Sequence, residues 1–139
     1  MNKIEFNTQI ATTIEQSKRL LELGLKPETA ECYNREEEWG YSCWIGKPSL
    51  PTDIPAWSLH RLISMLPDKI EMLSHTFYIC DFFPKLDKNN VAYVDMMGWS
   101  RWFNEKDTLY DNIIDCIEWL IKEVHFNKEY LIKNHEKLN

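Results

Sequence analysis

The stretch from residue 70 to residue 99 constrains this chain most. Residues 70–83 and 91–99 are rich in β-branched and aromatic types, which suit a pleated, half-buried surface. Between them lies only Lys85-Leu86-Asp87-Lys88-Asn89-Asn90, which reads as a hairpin turn. Strands joined this closely must be antiparallel, because a parallel return needs a crossover of roughly a dozen residues.

Helical patterns flank this hairpin. The first is expected over about Thr13–Leu23, where Thr12 with Glu15, or Thr13 with Gln16, has capping-box spacing. Ile10, Ile14, Leu21 and Leu25 fall near one face, Gly24 supplies a left-handed terminus, and Pro27 prevents continuation. A second helix is expected from near Pro55, with Asp53 as cap and Leu59, Leu62, Ile63 and Leu66 as its apolar stripe up to Pro67. A third, Thr108–Val124, carries the most regular stripe: Leu109, Ile113, Cys116, Ile117, Leu120 and Val124. Asn127 caps a short last helix, with Lys133–Asn139 fraying. Trp39–Ile45 alternates as a strand would, after a charged lead-in of Glu36-Glu37-Glu38. The order predicts an α+β fold, with a small antiparallel sheet of about three strands and helices packed on one face.

Length and composition agree with one domain spanning residues 1–139. At 139 residues, with 44% hydrophobic and 27% charged, the chain can bury a core without disulfides or metal. A net charge of −6 and no basic run exclude broad phosphate contact, so nucleic acid is not an expected partner. Apolar runs fall far short of the roughly 20 residues that cross a bilayer, and Met1–Asn7 has no secretion-signal pattern. A cytoplasmic chain without membrane partners is therefore expected, its cysteines kept as thiols. Cys32, Cys43, Cys80 and Cys116 form no C-x-x-C pair and have no His at ligand spacing, so neither metal nor cofactor is expected.

Three segments carry a resemblance. They are Thr13–Leu25 with Glu28-Thr29-Ala30, Ile54–Leu59 and Cys116–Ile121. Together they resemble small uncharacterised proteins encoded in bacterial prophages and mobile elements, especially of gut Bacteroidales. The resemblance implies a bacterial, cytoplasmic setting and a mobile-element origin. It implies no activity, cofactor or site residue.

No catalytic motif emerges. Ser58 lies between Trp57 and Leu59, without the glycines that a nucleophile elbow needs, and reads as part of a helix start. Gly46-Lys47-Pro48-Ser49 lacks the first glycine of a phosphate loop, and Pro48 removes a backbone donor. If the hairpin centres on Lys88, residues whose numbers add to 176 pair across it, setting Asp81 opposite Asp95 with His75 and Tyr93 on the same face. Close carboxylates can share a proton or hold a cation, but opposed like charges are destabilising, so the pattern favours a register that differs by two or acids at the solvent edge. Trp39, Trp44, Trp99 and Trp102 form the remaining candidate, either covering the sheet or presenting a recognition surface. The leading reading is a non-enzymatic interaction module that binds another protein through these four tryptophans. The alternative is a small-molecule-binding protein or enzyme with a pocket near Asp81, Asp95 and His75.

Overall fold

A computed structural model describes residues 9–73 and 77–133. Helix α1 (Ile14–Glu22) starts at Thr13, whose side chain accepts from the Gln16 N–H while Gln16 reaches back to the Thr13 N–H. That reciprocal cap satisfies two free donors of the first turn. Gly24, at φ 101°, ends the helix as expected. Its buried face is Ser17 and Leu20, with Leu21 half-buried and Ile10 exposed, a turn of about one residue from the expected stripe.

Strands β1 (Cys32–Glu37), β2 (Gly40–Ile45) and β3 (Ile54–Ala56) form one antiparallel sheet in the order β2-β1-β3. β3 corrects the expected helix start: Pro55 is a strand residue opposite Tyr33, and Asp53 caps nothing. The cap of α2 (Leu59–Met65) is Ser58, which accepts from the Arg61 N–H and donates to Glu31. Ser58 is thus committed to the helix terminus.

A second antiparallel sheet has the order β4 (Ile70–Leu73), β5 (Ile79–Asp87), β6 (Asn90–Val94), β7 (Ser100–Phe103). Seven strands in two sheets replace the expected three among the described residues. The α+β class stands. The β5–β6 turn is only Lys88-Asn89, with Lys88 left-handed at φ 57°. Paired residue numbers consequently add to 177, as in Phe83 opposite Val94. A one-residue shift transfers every side chain to the other face.

Helix α3 (Leu109–Lys122) lies against β6 and β7, and α1 packs on β3 and α3. Thr108 caps α3 by accepting from the Asp111 N–H. Ile113, Cys116, Ile117 and Leu120 are fully buried as expected, whereas Val124 lies beyond the helix and is exposed. Buried Asn112 donates to the carbonyls of Asn89 and Lys106 and accepts from the Lys106 N–H, so the β5–β6 turn is pinned to the helix. Burial raises the Cys116 thiol to about 12, which makes it a core side chain rather than a nucleophile. All four cysteines are free thiols. Asn127 caps a short 3-10 turn, Lys128–Tyr130, and Leu131 then bridges back to Leu25. Among the described residues no helix is long and apolar enough to cross a membrane.

Candidate functional site

The two hairpins of the four-stranded sheet bring their connections to one end, away from Lys88-Asn89. On the β4–β5 side Leu73, Phe77, Tyr78 and Ile79 are exposed, Phe77 by 82% and with a left-handed φ of 66°. On the β6–β7 side Met96, Met97 and Trp99 are exposed, Met96 by 92%. Large contiguous exposed apolar patches are rare on monomeric proteins and mark interaction sites.

Two hollows open at this end. The larger, about 550 Å³, is walled by Met72, Leu73, Phe77, Phe82, Trp99 and Trp119. Trp119 of α3 lines it together with Arg101; behind it the Trp119 and Phe103 ring centroids are 5.5 Å apart, and the Arg101 guanidinium lies 4.7 Å above the Phe103 ring. The smaller, about 260 Å³, is lined by Cys80, Asp81, Phe83, Asp95, Met96 and Met97. Asp95 organises the β6–β7 turn: its Oδ1 accepts from the N–H of Met97 at 2.9 Å and of Trp99 at 2.7 Å. Its own N–H donates to the Trp99 carbonyl at 2.8 Å. The other oxygen, Oδ2, is buried and accepts no hydrogen bond.

The expected pairing of Asp81 with Asp95 does not occur. Asp81 stands opposite Glu71 across β4 and β5, and the β5–β6 ladder, shifted by one through its two-residue turn, ends at Phe83 opposite Val94. The two acids nonetheless line the same small hollow, since the chain turns at Asp95. Tyr93 is fully buried, its hydroxyl donating to the Pro67 carbonyl at 2.7 Å, and cannot join them. His75 lies outside the described residues. Among those residues no three of His, Cys, Asp and Glu are grouped to hold a metal ion.

The four singled-out tryptophans are divided between the sheets. Trp39 is 94% exposed at the β1–β2 turn, and Trp44, half exposed on β2, donates its ring N–H to the Ser42 hydroxyl. Trp99 belongs to the apolar end just described. Trp102 is half-buried and borders a third hollow of about 380 Å³ between α1, β7 and α3. Five of its charged groups form one network: Arg19 Nη2 lies 2.7 Å from both Asp115 and Glu118, and Lys106 and Lys122 pair with the same two acids. That network ties α1 to α3.

A second charged cluster is equally structural. Asp53, with its side chain inaccessible to solvent, accepts from Arg35 Nε at 2.9 Å and Nη2 at 2.8 Å, and from the N–H of Ser49 and Leu50. It closes the Gly46–Leu50 loop over β1. The Arg35 hydrogen bonds, with the two backbone donors, outweigh burial and hold this carboxyl far below the usual range. Because the folded value is depressed, the stabilisation is complete above the unfolded value of about 3.9 and fades as pH falls towards the folded one. The urea-midpoint gap between wild type and Asp53→Asn should therefore narrow as pH drops below about 4. A gap independent of pH would show that the charge of Asp53 contributes nothing.

Leu73, Phe77, Tyr78, Ile79, Met96 and Met97 were absent from the sequence-derived candidates. Their signal was present: Phe77-Tyr78-Ile79 and Met96-Met97 are apolar runs, the second immediately before Gly98, a residue that marks turns. The first lay inside a segment read as one continuous strand. Compared with protein-family models, with curated proteins and with solved structures, the chain matches none.

Proposed function

We propose that this chain is a non-enzymatic interaction module that docks a partner protein on the apolar end of its four-stranded sheet. One observation carries the reading: Leu73, Phe77 and Trp99 are exposed and line one hollow, with Tyr78, Ile79, Met96 and Met97 also exposed at this end of the sheet. Methionine adapts its shape at a binding surface, and rigid aromatic rings supply contact area at low entropic cost. The expected aromatic surface thereby narrows from four tryptophans to Trp99 and its neighbours. A bacterial cytoplasmic setting and a mobile-element origin, implied by the sequence resemblance, are proposed with it.

The test starts from peptides selected against the immobilised protein from a random display library. Phe77→Ala and Met96→Ala should each weaken the selected peptides about thirtyfold, as hot-spot truncations do. Both sites are surface positions, so stability should stay within about 0.5 kcal/mol of wild type. Trp39→Ala and Trp44→Ala should leave affinity within about threefold, since peripheral contacts contribute little. Peptides that lose affinity with the Trp39 and Trp44 variants, and not with Phe77 or Met96, would move the surface to the three-stranded sheet and overturn the reading.

A further inference from the structure

Four strands stand at the edges of the two sheets: β2 and β3 in one, β4 and β7 in the other. An edge strand offers a row of free N–H and C=O groups, and proteins protect it with a charge, a proline, a bulge or short length. β3 is three residues long and contains Pro55, β4 carries Glu71, and β7 carries Arg101. β2, Gly40-Tyr41-Ser42-Cys43-Trp44-Ile45, is longer than the other three and has neither charge nor proline. Its pairing with β1 runs unbroken from Gly40 to Ile45, so no bulge turns it aside. The Gly46 N–H donates to the Glu31 carbonyl, and hydrogen-bonded positions alternate along an antiparallel pair. Gly40, Ser42 and Trp44 therefore bond to β1, while Tyr41, Cys43 and Ile45 turn their N–H and C=O groups outward. Among the described residues no strand pairs with that side. The side chains of Tyr41 and Ile45 project to the same face as those of buried Cys32 and Asn34. Tyr41 is nonetheless half exposed, and Ile45 is 86% exposed.

We propose that β2 is a self-association edge, which pairs antiparallel with β2 of a second copy of this chain about a two-fold axis at Cys43. Self-complementarity selects this occupant. With the axis there, Cys43 faces its own counterpart and Tyr41 faces Ile45 of the second copy, so every outward residue meets an outward residue. The strand has no charge to oppose itself, and an aromatic ring against a β-branched side chain is a favourable cross-strand pair. The same register brings Lys47 of one copy beside the Glu38-Trp39 turn of the other. A carboxylate and an aromatic face both suit an ammonium there. The three-stranded sheet thereby continues through β2 into its symmetry copy, as in strand addition to an open edge.

This edge lies on the other sheet from the apolar docking end, so the two readings stand or fall separately. The test uses the whole chain under reducing conditions, which exclude a disulfide between copies. Sedimentation equilibrium should show a reversible monomer–dimer equilibrium between about 5 and about 500 µM. Over that range amide exchange at Tyr41, Cys43 and Ile45 should slow by at least about tenfold, while Ser42 and Trp44, already bonded to β1, should not change. Tyr41→Lys combined with Ile45→Lys sets like charges opposite each other across the axis and should weaken association at least about tenfold. Tyr41→Glu combined with Ile45→Glu should do the same, and mixing the two variants should restore association as a mixed dimer. Unchanged thermal midpoints at low concentration confirm that both variants fold. A chain that stays monomeric throughout, or a dimer whose Tyr41, Cys43 and Ile45 amides exchange as in the monomer, would overturn the proposal. So would a dimer that Phe77→Ala dissociates and the lysine pair does not, since its contact would lie on the four-stranded sheet.

Discussion

Replacing Trp57 with alanine should remove about 3–5 kcal/mol of stability, a large share of what a domain of this size possesses. The ring is fully buried, and its Nε1 donates to the Thr29 hydroxyl at 2.9 Å. Its backbone N–H donates to the Thr12 hydroxyl at 3.0 Å, and its carbonyl accepts from the Thr12 N–H at 2.9 Å. Trp57 therefore joins three parts of the chain: the segment entering α1, the 3-10 turn at Pro27–Thr29, and the start of α2. Alanine deletes the ring and leaves a cavity at that junction, while the backbone bonds persist. Trp57→Phe keeps most of the volume and should cost clearly less than the alanine change. Denaturant melts of the two variants measure the difference. A loss below about 0.5 kcal/mol for Trp57→Ala would contradict its place in the core.

Leu62→Ala and Ile117→Ala should each cost about 2–5 kcal/mol, the range for a buried aliphatic truncated to alanine. Both side chains are fully buried in one continuous core. They occupy the inward faces of α2 and α3, the two helices whose stripes end on Pro67 and beyond Lys122. Equilibrium unfolding in urea gives each value directly. Changes under about 0.5 kcal/mol at both sites would mean that these faces are not the core.

Both residues were legible in the sequence, because a helical stripe is a local signal. Ile113, Cys116, Ile117 and Leu120 recur at the spacing of a helix turn, and Thr108 stands ahead of them as the cap. The Thr13–Gln16 cap and the Gly24 terminus are local in the same way. β1 was not legible. Asn34, Arg35, Glu36 and Glu37 look like loop or surface, but Asn34 is buried with its amide on the Thr12 carbonyl, and Arg35 is held by Asp53. The groups that satisfy them lie 22 and 18 residues away, so no sequence window contains the reason for the strand.

The candidate site divides similarly. Sequence alone determined the α+β class, the three helices, the antiparallel β5–β6 hairpin and the abundance of aromatic and methionine side chains. Only the tertiary structure decided which of them meet water. A two-residue turn at Lys88-Asn89 displaces the pairing by one and the β5–β6 ladder ends at Phe83–Val94, so Asp81 and Asp95 are not paired across the strands. Phe77 and Met96 are both left exposed at the other end of the sheet, and the turn at Asp95 leaves one oxygen buried without a donor. Composition limits what can be buried. Because side chains alternate along a strand, the register and the turns then decide which of them face the core.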